Sequence, residues 1–179
     1  MKTKINTNEL CKMVRYARSR GRLFWTREER QHFISNGHWL VRFDEVPRDV
    51  LVSLFGVFCK IPEVGQTLVT QSGQEVESKP IDFSKIYQPD KQSVFGEVTP
   101  FLKDIGQNQL CRIIKFPEHH VIVDENYFKM AIDYSNPKTQ GKGSHYPIYL
   151  AGDDLMILPL RYHDEKQDEI MKEIVGGAV

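Results

Sequence analysis

The sequence predicts an α+β fold in which short helices pack on antiparallel sheets. Two observations carry this. Turn dipeptides joining short apolar runs recur at Asn36-Gly37, Ser72-Gly73 and Gly152-Asp153, which is the signature of hairpins and not of parallel crossovers. The order strand end, helix, hairpin also occurs twice: INTNELCKMVRYA with HFISNGHWLVRF near the start, and VDENYFKMAIDY with the closing stretch to LMILPLRY. A chain of 179 residues, 40% of them hydrophobic, buries a real core and fits one domain built from two sub-repeats.

The first helix is predicted from its cap. Asn6, with Glu9 three residues on, has the form of a capping box. Leu10, Met13, Val14 and Ala17 then fall at i, i+3, i+4 and i+7, one apolar stripe against a core. Lys12, Arg15, Arg18 and, if the helix runs that far, Arg22 project elsewhere, with Arg20, Arg27 and Arg30 nearby. This is the most basic segment of a chain whose 24 basic and 24 acidic residues cancel, so any electrostatic function must rest on uneven charge distribution. Two readings stand: a solvated helix face, or a surface for phosphates. Gly21 ends the helix or the segment just after it.

His32 to Phe43 reads as a hairpin with a type I′ turn at Asn36-Gly37, and Trp39 within it as a packing residue, not a stacking platform for bases. Pro47 begins a short helix through Phe55. Thr67 to Glu77 forms a hairpin at Ser72-Gly73, and Lys79 to Gln92, polar with two prolines, reads as a surface loop or insertion. Ser93 to Thr99 and Cys111 to Phe116 are strands, with Pro117-Glu118 turning the chain into His120 to Val123. A second helix follows: Asp124 takes the capping position of Asn6, and Phe128, Ala131 and Ile132 the stripe positions of Leu10, Met13 and Val14. Its polar side carries Lys129 and Asp133, with Lys138 and Lys142 in the loop beyond. Ile148 to Leu150 and Leu155 to Leu160 close the fold. In the tail, Ile170, Met171, Ile174 and Val175 form one apolar edge of a possible short helix.

Cys11, Cys59 and Cys111 lie at wide spacings outside any CxxC pattern and read as reduced, mostly buried thiols. No apolar run approaches the roughly 20 residues that span a bilayer, so a cytoplasmic, membrane-free protein is expected. For an enzyme, His119 and His120 with Glu118, Asp124 and distant His145 are the candidates for a metal site or acid–base pair. Adjacent strand residues point to opposite faces, however, and no nucleophile elbow, phosphate loop or zinc spacing accompanies them. The expectation is a protein without catalytic residues, metal or cofactor.

The stretches INTNELCKMV (Ile5 to Val14), VDENYFKMAI (Val123 to Ile132) and LMILPLRY (Leu155 to Tyr162) resemble the repeating unit of DNA sliding clamps, the polymerase processivity factors, and the latter two its last sub-repeat in the bacterial β-clamp. The resemblance implies a clamp-like domain over 1–162 with two β-α-β-β-β sub-repeats, about 1–60 and 111–162. Its helices would lie on one face of antiparallel sheets, with an inserted or divergent middle at 61–110 and a tail at 163–179. It implies a DNA replication accessory factor that holds duplex DNA without reading sequence, through phosphate contacts from Lys12, Arg15, Arg18, Arg20 and Arg22, and binds polymerase or other replication proteins through short peptides. The two copies begin 118 residues apart, Asn6 against Asp124, and the second helix lacks a basic face. A ring would need several copies joined edge to edge as a homo-oligomer. The alternative is an assembly module with this fold that does not bind DNA.

Overall fold

The computed structural model describes residues 4–89, 94–106, 109–140 and 144–161. Asn6 caps helix α1, Thr7–Arg20, its Oδ1 accepting from the Glu9 amide at 3.4 Å. The reciprocal half of the capping box is replaced by a long-range bond, Asn6 N donating to Met130 O at 2.8 Å. Leu10, Cys11, Val14 and Ala17 are buried, and Met13 packs at the rim of the same core. The helix stops at Gly21 in extended backbone (φ −148°), without a left-handed cap. Arg22 therefore opens strand β1, Arg22–Arg27, and does not extend the helix.

Strands β2, His32–Ser35, and β3, Trp39–Phe43, form the expected hairpin. Its turn differs. Ser35 pairs with Leu40, which leaves four residues in the connection, and only Gly37 has positive φ (92°). Asn36 Oδ1 accepts from the amides of His38 and Trp39, and Ser35 Oγ accepts from Gly37 N and donates to Trp39 O. Side-chain bonds thus close the turn that the type I′ geometry would have closed with backbone alone. Helix α2, Arg48–Phe58, begins after Pro47 and runs three residues past Phe55, ending at Cys59 in the left-handed region (φ 55°). Strands β4, Thr67–Gln71, and β5, Gln74–Val76, meet at Ser72-Gly73, both at positive φ as type I′ requires.

The remaining elements are α3, Phe83–Ile86; β6, Val94–Phe95; β7, Glu97–Asp104; β8, Leu110–Lys115; β9, His120–Asp124; α4, Glu125–Phe128; β10, Lys138–Thr139; β11, Ile148–Leu150; and β12, Leu155–Ile157. The stretch 124–132 thus holds one helical turn, not a second amphipathic helix. Asp124 does cap it, through Asn126 N at 2.8 Å. Residues 130–132 are then drawn out of helix by the start of the chain: Asn6 N bonds Met130 O, Ile132 N bonds Lys4 O, and Ile5 bridges Ala131. Ile132 is 59% exposed and joins no stripe. Lys138 lies in β10; Lys142 and the tail after Arg161 fall outside the described residues.

All strand pairs are antiparallel. One sheet has nine strands in the order β5-β4-β1-β2-β3-β12-β11-β10-β6, and a second has three, β7-β8-β9. The β3–β12 pairing joins the two ends of the described chain in one sheet. Leu23 and Trp25 of β1, Trp39 and Val41 of β3, Ile148 of β11 and Leu155 of β12 face a core shared with α1, α2 and the inner residues Ile114, Val121 and Val123 of the small sheet. Trp39 is a buried packing residue. On the other side of the large sheet, Phe33, Leu40, Tyr149 and Met156 are covered by Phe83 and Tyr87. The segment read as a polar loop is therefore a lid of packed aromatics, with Phe83 stacked on Phe33 at 6.0 Å and Tyr87 edge-on to Tyr149 at 5.5 Å. Cys11 and Cys111 are buried and Cys59 is exposed, all as free thiols.

Candidate nucleic-acid interface

Helix α1 buries one side, so its long basic side chains fall on the other. Lys12, Arg15, Arg18 and Arg20 are all exposed, and Arg22 is exposed beside them at the start of β1. At about 100° per residue, Arg15 lies about 60° from Lys12, whereas Arg18 and Arg20 diverge to either side of the last turn. The five residues make a band around the end of α1, not a single stripe. Lys12 is tied to Glu9, Nζ to Oε1 at 2.7 Å, and Arg22 donates to Gln71 Oε1 at 3.0 Å, with its guanidinium 5.8 Å from the Phe24 ring centre. Arg15, Arg18 and Arg20 make no ion pair among the described residues. Part of this charge has a structural use: Arg18 and Arg20 stand in the last turn, where the helix dipole presents its negative end. Arg15, at mid-helix, is not accounted for in that way.

Helix α2 packs against α1 and alters the character of this face. Val52 is 64% and Phe55 51% exposed, with the exposed Cys59 one turn further, and Tyr16 of α1 is 60% exposed. The sequence reading missed these residues, although RDVLVSLFGVF carries apolar residues in every direction, more than a helix with one buried side can hide.

A pocket of about 280 Å³ lies where the start of α1 meets α4, lined among others by Glu9, Arg112, Glu125 and Tyr134. Its floor is a closed ion pair. Arg112 Nε and Nη2 donate to the two Glu125 oxygens at 2.7 and 2.9 Å, and Nη1 donates to Thr99 O at 3.2 Å. The guanidinium carbon stands 4.9 Å from the Phe128 ring centre. The hydrogen bonds to Glu125 raise the Arg112 pKa, and its fork is directed at partners inside the protein. This pair holds α4 to β8 and leaves no bidentate fork for a ligand.

The enzyme candidates have separate surroundings, apart from Glu118, whose charge acts on His119. His119 sits in the turn before β9, stacked on Phe116 at 5.0 Å, with both ring nitrogens buried and without hydrogen-bond partners. Burial, and then the neighbouring His120, lower its pKa. Asp124 is occupied by the α4 cap and by Gln109, whose Nε2 donates to Oδ2 at 2.7 Å. Among the described residues, no three His, Cys, Asp or Glu side chains are grouped to hold a metal ion, and no helix is long and apolar enough to cross a membrane. Comparison of the sequence with protein-family models gives no match, and comparison with curated proteins gives none.

Proposed function

We propose that this chain is a non-catalytic DNA-associated protein of the sliding-clamp kind, which holds duplex DNA through phosphate contacts from α1. One observation carries the reading. In a chain of zero formal net charge, α1 bears four basic residues against one acidic, and Arg15, Arg18 and Arg20 are exposed without ion pairs among the described residues. Unpaired, solvated guanidinium groups displace counterions from a polyanion whatever its sequence, which is what a sliding contact needs. The side-by-side packing of α1 and α2 against the inner face of an antiparallel sheet supports it as the layered arrangement such a domain would use. Polymerase or another replication protein as partner, and closure of several copies around DNA, belong to the same proposal.

The exposed Val52, Phe55 and Tyr16 favour a second reading, an assembly module whose helix pair docks another protein. The two separate in solution. Light scattering over a concentration series, with and without duplex DNA at low salt, should give a closed oligomer that retains circular DNA and releases linear DNA. A monomer or dimer indifferent to DNA contradicts the clamp reading and leaves the assembly module.

A further inference from the structure

The face formed by α1 and α2 combines two features that single-purpose surfaces keep apart: a basic band and an apolar stripe. Val52 and Phe55 stand at i and i+3 on α2, with Cys59 just past the end of the helix, all exposed, beside a helix with net charge +3. Phosphates satisfy the first feature and do nothing for the second. A segment that is both acidic and apolar satisfies both.

The sequence contains one. Residues 164–175, DEKQDEIMKEIV, hold five acidic and two basic residues and place Ile170, Met171, Ile174 and Val175 at i, i+1, i+4 and i+5. We propose that this segment of the same chain docks on the helix pair, its isoleucines against Val52 and Phe55 and its carboxylates against the α1 arginines, and so competes with DNA for that face. Only the competition rests on the DNA reading; the docking does not. Reach permits it. Leu160 N donates to Ile122 O at 2.8 Å, which fixes the chain at the edge of β9, and Ile170 is nine residues beyond Arg161. Nine residues span up to about 30 Å, against a diameter of about 40 Å for a sphere with the radius of gyration of about 15 Å expected at this size, so the segment reaches all but the far side of the body from β9. A tethered segment also acts at high effective concentration, so modest contacts suffice. DNA binding would then require displacement of the tail, and ionic strength would weaken both competitors while leaving the apolar contact.

Cys59 provides a readout that does not involve DNA, since Cys11 and Cys111 are buried. In the full chain, Ile170→Asp with Ile174→Asp removes the apolar contact and adds two acidic groups, so any loss of docking reports the apolar contact and not a loss of charge attraction. Docking predicts that Cys59 reacts several-fold faster with a neutral maleimide in this variant, and that Val52→Asp with Phe55→Asp gives the same acceleration. Equal rates in all three proteins overturn the proposal. Protection in the parent chain that disappears on dilution also overturns it, because the tail would then come from a second copy. Faster labelling together with several-fold tighter duplex binding supports docking and competition. Faster labelling without DNA binding in any variant supports docking and overturns the DNA reading alone.

Discussion

Three histidines share one electrostatic situation. Burial lowers the pKa of His32, His119 and His120, with Arg27, His120 and Lys115 respectively adding to the effect, while Glu118 opposes it at His119. At His32 the cause of preference for the neutral ring is visible: Trp25 Nε1 can only donate, so Nδ1 accepts, at 3.2 Å, and a protonated ring could not. A folded pKa below the unfolded value of about 6.5 means that the unfolded chain takes up protons first as pH falls. Stability is therefore full above about pH 6.5 and is lost on acidification through that value toward the folded pKa values. Thermal melting between pH 8 and 5 should show this loss, and His119→Leu should flatten it. The Arg112–Glu125 pair, 17% and 7% exposed, makes a stronger demand. Glu125→Ala leaves a buried guanidinium uncompensated and should cost about 3 kcal/mol in urea denaturation.

At the scale of elements, α1, the β4–β5 hairpin and the β8–β9 hairpin were legible because their determinants are local: a cap with a stripe, a Ser-Gly turn, a Pro-Glu turn. Strand β1 was not, since RLFWTR lacks alternation. Leu23 and Trp25 face the main core while Phe24 meets the aromatic lid, 6.3 Å from Phe83, and a strand covered on both sides has an unbroken apolar centre, Leu23 to Trp25, in place of alternation. The expected second helix failed for a related reason, because Lys4 to Asn6 capture residues 130–132 from across the sequence. One contact ties two correctly read elements together. A Cβ on Gly73, at φ 81°, would stand 2.7 Å from Arg18 O, and Ser72 N bonds Gly21 O at 2.8 Å, so the β4–β5 turn is moulded against the end of α1. Gly73→Ala should destabilise by about 1–2 kcal/mol from backbone strain alone, with the clash adding to it, as urea midpoints would record.

For the molecule as a whole, the basic band was legible in the sequence because charge needs no partner to be read. Its apolar companion on α2 was not, since which side of an all-round apolar helix is buried depends on where α1 lands. The sheet edges bear on assembly. β5 and β6 end the large sheet with three and two residues, and β7 is interrupted by a bulge between Val98 and Leu102 that contains Pro100. Short, bulged and proline-bearing edges resist indiscriminate pairing, so an edge-to-edge ring would have to form through these brief ladders or through side chains. The central claim, that α1 holds DNA by its phosphates, is tested most directly by duplex affinity as a function of salt. The proteins compared would be the parent chain, its Ile170→Asp/Ile174→Asp form, and each of these with Arg15→Glu and Arg18→Glu. Log affinity should fall linearly with log salt by about 0.9 per phosphate neutralised, and the arginine substitutions should abolish low-salt binding while the circular dichroism spectrum stays that of the folded chain and the melting temperature falls by only the few degrees that reversing the Arg18 charge at the helix end costs. Binding of the same strength and salt slope after both arginines are reversed in charge would contradict the account.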